Sequence, residues 1–215
     1  MSWLTTHISL HSLESPREEW ANGITHLVGA VLSVAGTIFL ILKHDELHIR
    51  VAFAVFGLSM VLLFSASTLY HLSPVDSTWK RLFRLMDHLS IFVLIAGTYT
   101  PVLTVIGTSW SYRTLALVWG LAITGMILKV IFWDSFKVWQ VIFFLAMGWL
   151  AIFRIREIVA ILPLPFVYML LGAGVVYSLG TIVYGLKKVP YHHAVWHLFV
   201  LGGAGLFFVG IYGYL

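Results

Sequence analysis

The chain has 215 residues, of which 60% are hydrophobic and only 10% charged, with a mean hydropathy of +0.95. Soluble domains carry roughly a quarter charged residues, so a water-soluble globule is excluded and lipid is the solvent in which this chain folds. Cysteine is absent, which excludes disulfides and thiolate metal ligands. The net charge of +4 is read as topogenic Lys and Arg in short loops between apolar runs, so nucleic acid is not an expected partner.

Residues 1–21 carry His7, His11, Glu14, Arg17, Glu18 and Glu19 and lack the apolar core of a cleavable signal peptide. They are expected to form a short cytoplasmic segment, with insertion driven by the first membrane helix. Apolar runs then predict crossings at about 22–43, 51–70, 85–106, 114–133, 138–153, 165–186 and 193–215. Residues 22–215 therefore read as a single all-α, seven-transmembrane helical bundle. Pro163 and Pro165 suit a helix entry, and Glu157 to Leu162 is either interfacial or an extension of the fifth helix. Glycine-rich patches such as GAG and GGAG fit close packing of membrane helices.

Orientation is read from Lys and Arg on alternate sides. Arg17, Lys80, Arg81, Arg84, Lys129, Lys137, Lys187 and Lys188 fall on the N-terminal side, against Lys43, Arg50, Arg113, Arg154 and Arg156 on the other. This excess predicts the N-terminus inside and, after seven crossings, the C-terminus outside.

Ionisable residues at apolar spans are costly and mark candidate sites. Helix parity puts His71, Asp87, His193 and His197 on one membrane face, together with Glu19, Asn22 and His26. His193 and His197 are four apart, so a helix projects both imidazoles from one side, a geometry suited to one cation. Ser67 and His71 share that spacing, and Glu19, Asn22 and His26 form a further stripe. His71, His193 and His197 are the candidate metal ligands. Three imidazoles with an open fourth position filled by water are the pattern of a catalytic Zn2+. Such a zinc acidifies its water, and Asp87 is placed to hold or deprotonate it. Ser67 is a candidate hydrogen-bond donor to a substrate carbonyl. Two plainer roles stay open: Asp87 pairs with Arg84 or favours its own helix N-terminus, and Ser67 bonds back to its own helix. His7, His11, His44, His48, His88 and His192 read as interfacial or packing residues.

The motifs ExxNxxxH (Glu19, Asn22, His26), SxxxH (Ser67, His71), MDH around Asp87 and HxxxH (His193, His197) occur in that order, with AGTYTP at 96–101, AMGWL at 146–150 and YSLG at 177–180. Taken together they closely resemble the bacterial haemolysin III family, within the superfamily of progestin and adiponectin receptors. The resemblance covers nearly the whole chain. It implies seven helices with the N-terminus inside and location in the bacterial inner (plasma) membrane. It also implies zinc held by His71, His193 and His197, with Asp87 contacting the metal-bound water. The superfamily's alkaline ceramidases make a lipid amide or ester the implied substrate, and a membrane lipid the expected partner. The leading expectation is thus a zinc-dependent lipid hydrolase or lipid sensor. A nonenzymatic regulator of membrane homeostasis, with zinc tying the second, third and seventh helices, is the second. A cytolysin-type pore former is the third.

Overall fold

A computed structural model describes residues 3–10 and 14–215; His11 lies outside the described residues. Among them the secondary structure is entirely helical. A short helix α1 (Trp3–His7) precedes α2 (Pro16–Leu42), α3 (Leu47–Leu72), α4 (Thr78–Ile106) and α5 (Ser109–Ile131). The fifth crossing is α6 (Lys137–Gly148), a 3₁₀ turn (Leu150–Arg154) and α7 (Ile155–Ile161), followed by α8 (Leu164–Gly185) and α9 (His192–Tyr214). Seven segments are long and apolar enough to cross a membrane, and the chain is a multi-pass integral membrane protein.

Local chemistry explains where the helices start earlier than the apolar runs do. Ser15 and Glu18 form a reciprocal capping box and Pro16 occupies the first turn, so α2 begins at Pro16. That polar first turn places Glu18 and Glu19 on the helix itself. Likewise Ser77 caps α4 by accepting from the Lys80 N–H, so α4 begins at Thr78. Its other end is closed by Gly107 at φ 64°, a left-handed conformation that glycine adopts without strain.

In α2, Asn22, His26, Gly29, Ser33, Gly36 and Leu40 are buried along one stripe, while Leu27, Val31, Leu32 and Phe39 are exposed. In a membrane that exposed apolar side meets lipid, and the polar stripe points into the bundle. Close helix approach depends on small residues. A Cβ on Gly57 of α3 would come 2.5 Å from the Thr37 Oγ1 of α2, and one on Gly180 of α8 would come 2.7 Å from the Cβ of Phe199 on α9.

The fifth crossing is broken, and its breakage is supported from α4. Tyr99 Oη donates to the carbonyls of Met147 and Gly148, at 3.0 and 2.9 Å, and accepts from the Ala151 N–H at 3.0 Å. Backbone groups freed at the Gly148–Leu150 break thus find partners away from water, as a membrane interior demands. Glu157 falls within α7, so the stretch after the break continues the crossing up to Ile161.

Candidate metal and lipid site

One ligand atom from each of His71, His193 and His197 lies within 4.8 Å of the others. His71 arrives from the last turn of α3, and the other two from the first two turns of α9. His71 and His197 are buried, and His193 is half-buried.

Each ring has its Nδ1 engaged by an acceptor. His71 Nδ1 is 2.9 Å from Glu19 Oε2, His193 Nδ1 is 2.7 Å from Glu14 Oε1, and His197 Nδ1 is 3.0 Å from the Asn22 carbonyl oxygen. Carboxylates and carbonyls accept only, so the proton of each neutral ring sits on Nδ1 and the Nε2 lone pair is left for a Lewis acid. This is the arrangement in which metal-binding histidines are usually held. His71 Nε2 is buried with no partner among the described residues, a cost that a bound cation relieves. The donor set therefore fits zinc: three nitrogens and no thiolate.

The supporting groups come from the first turns of α2 and from the residues just before it. Asn22 Nδ2 donates to Glu14 Oε2 at 2.5 Å, which aims that carboxylate at His193. The Glu14 carboxyl is subject to burial, which raises it, but the His193 hydrogen bond and the nearby His193 and His71 charges outweigh that and hold it below the ordinary range. Lys80, expected in a loop, is only 3% exposed. Its Nζ donates to Glu19 Oε2 at 3.3 Å and to the carbonyls of Tyr70 and His71 at 3.1 and 3.4 Å. Carbonyls of the last turn of α3, which lack a full set of intrahelical donors, draw the cation in. Glu18 Oε1 accepts from the Tyr191 N–H at 3.0 Å, holding the left-handed residue (φ 57°) that starts α9.

The other candidates are distributed as follows. His26 stacks on His197 with centroids 3.5 Å apart; both its nitrogens lack partners among the described residues, yet it falls outside the three-histidine group. Asp87 Oδ2 is 3.4 Å from His88 Nδ1, and among the described residues no ion pair joins it to Arg84, so the Arg84 pairing does not form. Ser67 is fully buried, and its hydroxyl bonds neither to its own helix nor elsewhere among the described residues. The second and seventh crossings, α3 and α9, supply the three histidines, Asp87 of the third crossing, α4, stands beside them, and the first crossing, α2, adds groups that support the rings. His7 and His48 are exposed, and His88 and His192 line a cavity.

That cavity, of about 820 Å³, runs from His193, His197 and Asp87 between α4, α5, α6, α8 and α9 to Trp110 and Arg154 near the opposite ends of those helices. Apolar side chains such as Leu94, Val102, Leu171 and Phe207 form most of its wall. Sequence reading missed the lining of the cavity, the contact of Glu14 with His193 and the burial of Lys80, Arg84 and Lys129. An acidic residue ahead of a helix cap and cations at helix ends carry no mark that separates them from solvated ones.

Comparison with known proteins agrees with this architecture. Residues 15–208 match the family described as Haemolysin-III related. The chain belongs to the haemolysin III family. It is 40% identical over 196 residues to the Hemolysin-3 homolog of Bacillus subtilis (strain 168), covering 89% of this chain and 92% of that protein. It is 41% identical over 203 residues to Hemolysin-3 of Bacillus cereus, covering 93% and 92%. A more distant similarity, 26% over 212 residues and covering 92% and 84%, links it to the human Monocyte to macrophage differentiation factor. This breadth is consistent with membership of the progestin and adiponectin receptor superfamily.

Proposed function

We propose that this haemolysin III family member is a zinc-dependent hydrolase of lipid amide or ester bonds, working from the inner membrane with its histidine cluster at the cytoplasmic face. The observation that carries the reading is the pinning of three imidazoles through their Nδ1 atoms by Glu19, Glu14 and the Asn22 carbonyl, beside a long apolar cavity. His71, His193 and His197 would hold the ion, leaving a position that the protein does not fill. Zinc bound there supplies Lewis-acid polarisation and a lowered water pKa.

The remaining work falls to the chain. Asp87 is on the cavity wall with its side chain 14% exposed, placed to accept a proton at a carboxylate oxygen, while His88 Nδ1, 3.4 Å away, donates to the Arg84 carbonyl at 2.9 Å. The apolar wall orients an acyl chain and excludes bulk water from the reacting end. Ser67, one turn from His71, is fully buried with its hydroxyl unpartnered among the described residues, which supports a role as hydrogen-bond donor to a substrate carbonyl.

The test is lipid turnover by purified protein. Incubation with N-acyl and O-acyl lipids is expected to release free fatty acid. Asp87→Asn is expected to lower that rate by about 10²-fold or more with zinc content unchanged. No product from wild-type protein above a protein-free control contradicts the hydrolase. In that case the favoured reading is a nonenzymatic regulator, for which the clamping of α2, α3 and α9 around the histidines is the supporting observation.

A further inference from the structure

Beside the histidine end of the cavity is a second cluster, built from cations. Arg84 of α4 is only 9% exposed and Lys129 of α5 only 1%, and both line the cavity. Both converge on the indole of Trp133: Arg84 Cζ is 5.6 Å and Lys129 Nζ 4.1 Å from the ring centroid. Two like charges this close and this far from water need compensation, and the protein supplies little. Lys129 Nζ donates to the Trp133 carbonyl at 2.8 Å. Arg84 Nε and Nη1 are buried with no acceptor among the described residues, and so is Trp133 Nε1. Among the described residues no ion pair joins either cation to a carboxylate: Asp87 lies 3.4 Å from His88, and Asp134 pairs with Lys137 at 2.9 Å and accepts from Ser9 Oγ.

Topogenic lysines and arginines sit in loops or reach lipid phosphates at the outer surface of a bundle. Arg84 and Lys129 do neither, since their charged ends are enclosed by protein and border an internal space. Three unmatched N–H donors and an ammonium on one wall call for a ligand that is negative and rich in acceptor oxygens. Phosphate meets both demands, and planar guanidinium suits it. The apolar length of the cavity accommodates a hydrocarbon chain.

We infer that Arg84, Lys129 and the Trp133 indole N–H form a phosphate-binding subsite, and that the cavity takes an anionic lipid whose phosphate headgroup is anchored there. This rests on the reading of the cavity as a lipid site but requires neither turnover nor bound metal.

The experiment is a binding titration of purified full-length protein in maltoside micelles. The probes are dodecyl phosphate, inorganic phosphate, dodecanoate and dodecyltrimethylammonium. Saturable binding of dodecyl phosphate is expected, at least tenfold tighter than dodecanoate, with no binding of the ammonium. Arg84→Gln and Lys129→Gln are each expected to weaken it at least tenfold while zinc content stays at the wild-type level. His193→Ala is expected to lose zinc and keep dodecyl phosphate binding, which separates this inference from the hydrolase reading. Inorganic phosphate binding as tightly as dodecyl phosphate keeps the subsite but assigns it to a free anion, overturning the lipid. Binding indifferent to charge, or preferring dodecanoate, overturns the phosphate subsite on wild-type protein alone, even where a variant fails to fold.

Discussion

Glu14 Oε1 lies 2.7 Å from His193 Nδ1 although the two residues are 179 positions apart in the chain. The contact closes the seven-helix arrangement on itself, bringing the segment ahead of α2 onto the first turn of α9. It also fixes which nitrogen of His193 is free. The same relation between Glu19 and His71 orients the second ring.

These two carboxylates are therefore expected to set metal affinity without touching the metal. Glu14→Gln and Glu19→Gln should each weaken zinc binding by about 10- to 100-fold, read by competition with a chelator of known affinity. An affinity equal to wild type in both variants contradicts the positioning role. The double variant should lose less than the product of the single effects wherever the two histidines share the ion.

Tyr99 serves both faces of the broken crossing. Tyr99→Phe leaves the carbonyls of Met147 and Gly148 and the N–H of Ala151 without this partner, and is expected to cost about 1–3 kcal/mol. Thermal unfolding in detergent measures it, with loss of helicity as the signal. Wild-type stability would mean that lipid or water meets those groups instead.

Glycine has different meanings along the chain. Gly57→Ala drives a methyl into the Thr37 side chain and should destabilise by about 1–3 kcal/mol. Gly120→Ala meets nothing within 4 Å and should be neutral, or stabilising by up to about 1 kcal/mol from helix propensity. Comparing the two melting curves checks the close approach of α2 to α3.

Much of this arrangement was legible beforehand because lipid imposes a strict rule on length and polarity. The seven apolar runs located the crossings, and helix parity alone collected His71, His193 and His197 on one face. Boundaries were less legible where polar caps extend a helix beyond its apolar part, as Ser15 and Ser77 do. Partners were least legible of all. Nothing local marks Glu14 as the acceptor for His193, since the contact exists only once α2 and α9 are adjacent. Lys80, Arg84 and Lys129 resemble ordinary topogenic charges in sequence, and only burial distinguishes them. The break between α6 and α7 falls inside the run 138–153 that reads as one crossing, and its support by Tyr99 depends on the packing of α4.

The most direct test is the metal content of purified protein, measured by plasma mass spectrometry after exchange into chelator-treated buffer. About one zinc per chain is predicted for wild type and for His48→Ala, whose ring is exposed beside Glu46. His71→Ala, His193→Ala and His197→Ala are each predicted to fall far below that while retaining helical structure. Wild-type zinc in folded His193→Ala protein would contradict the three-histidine site.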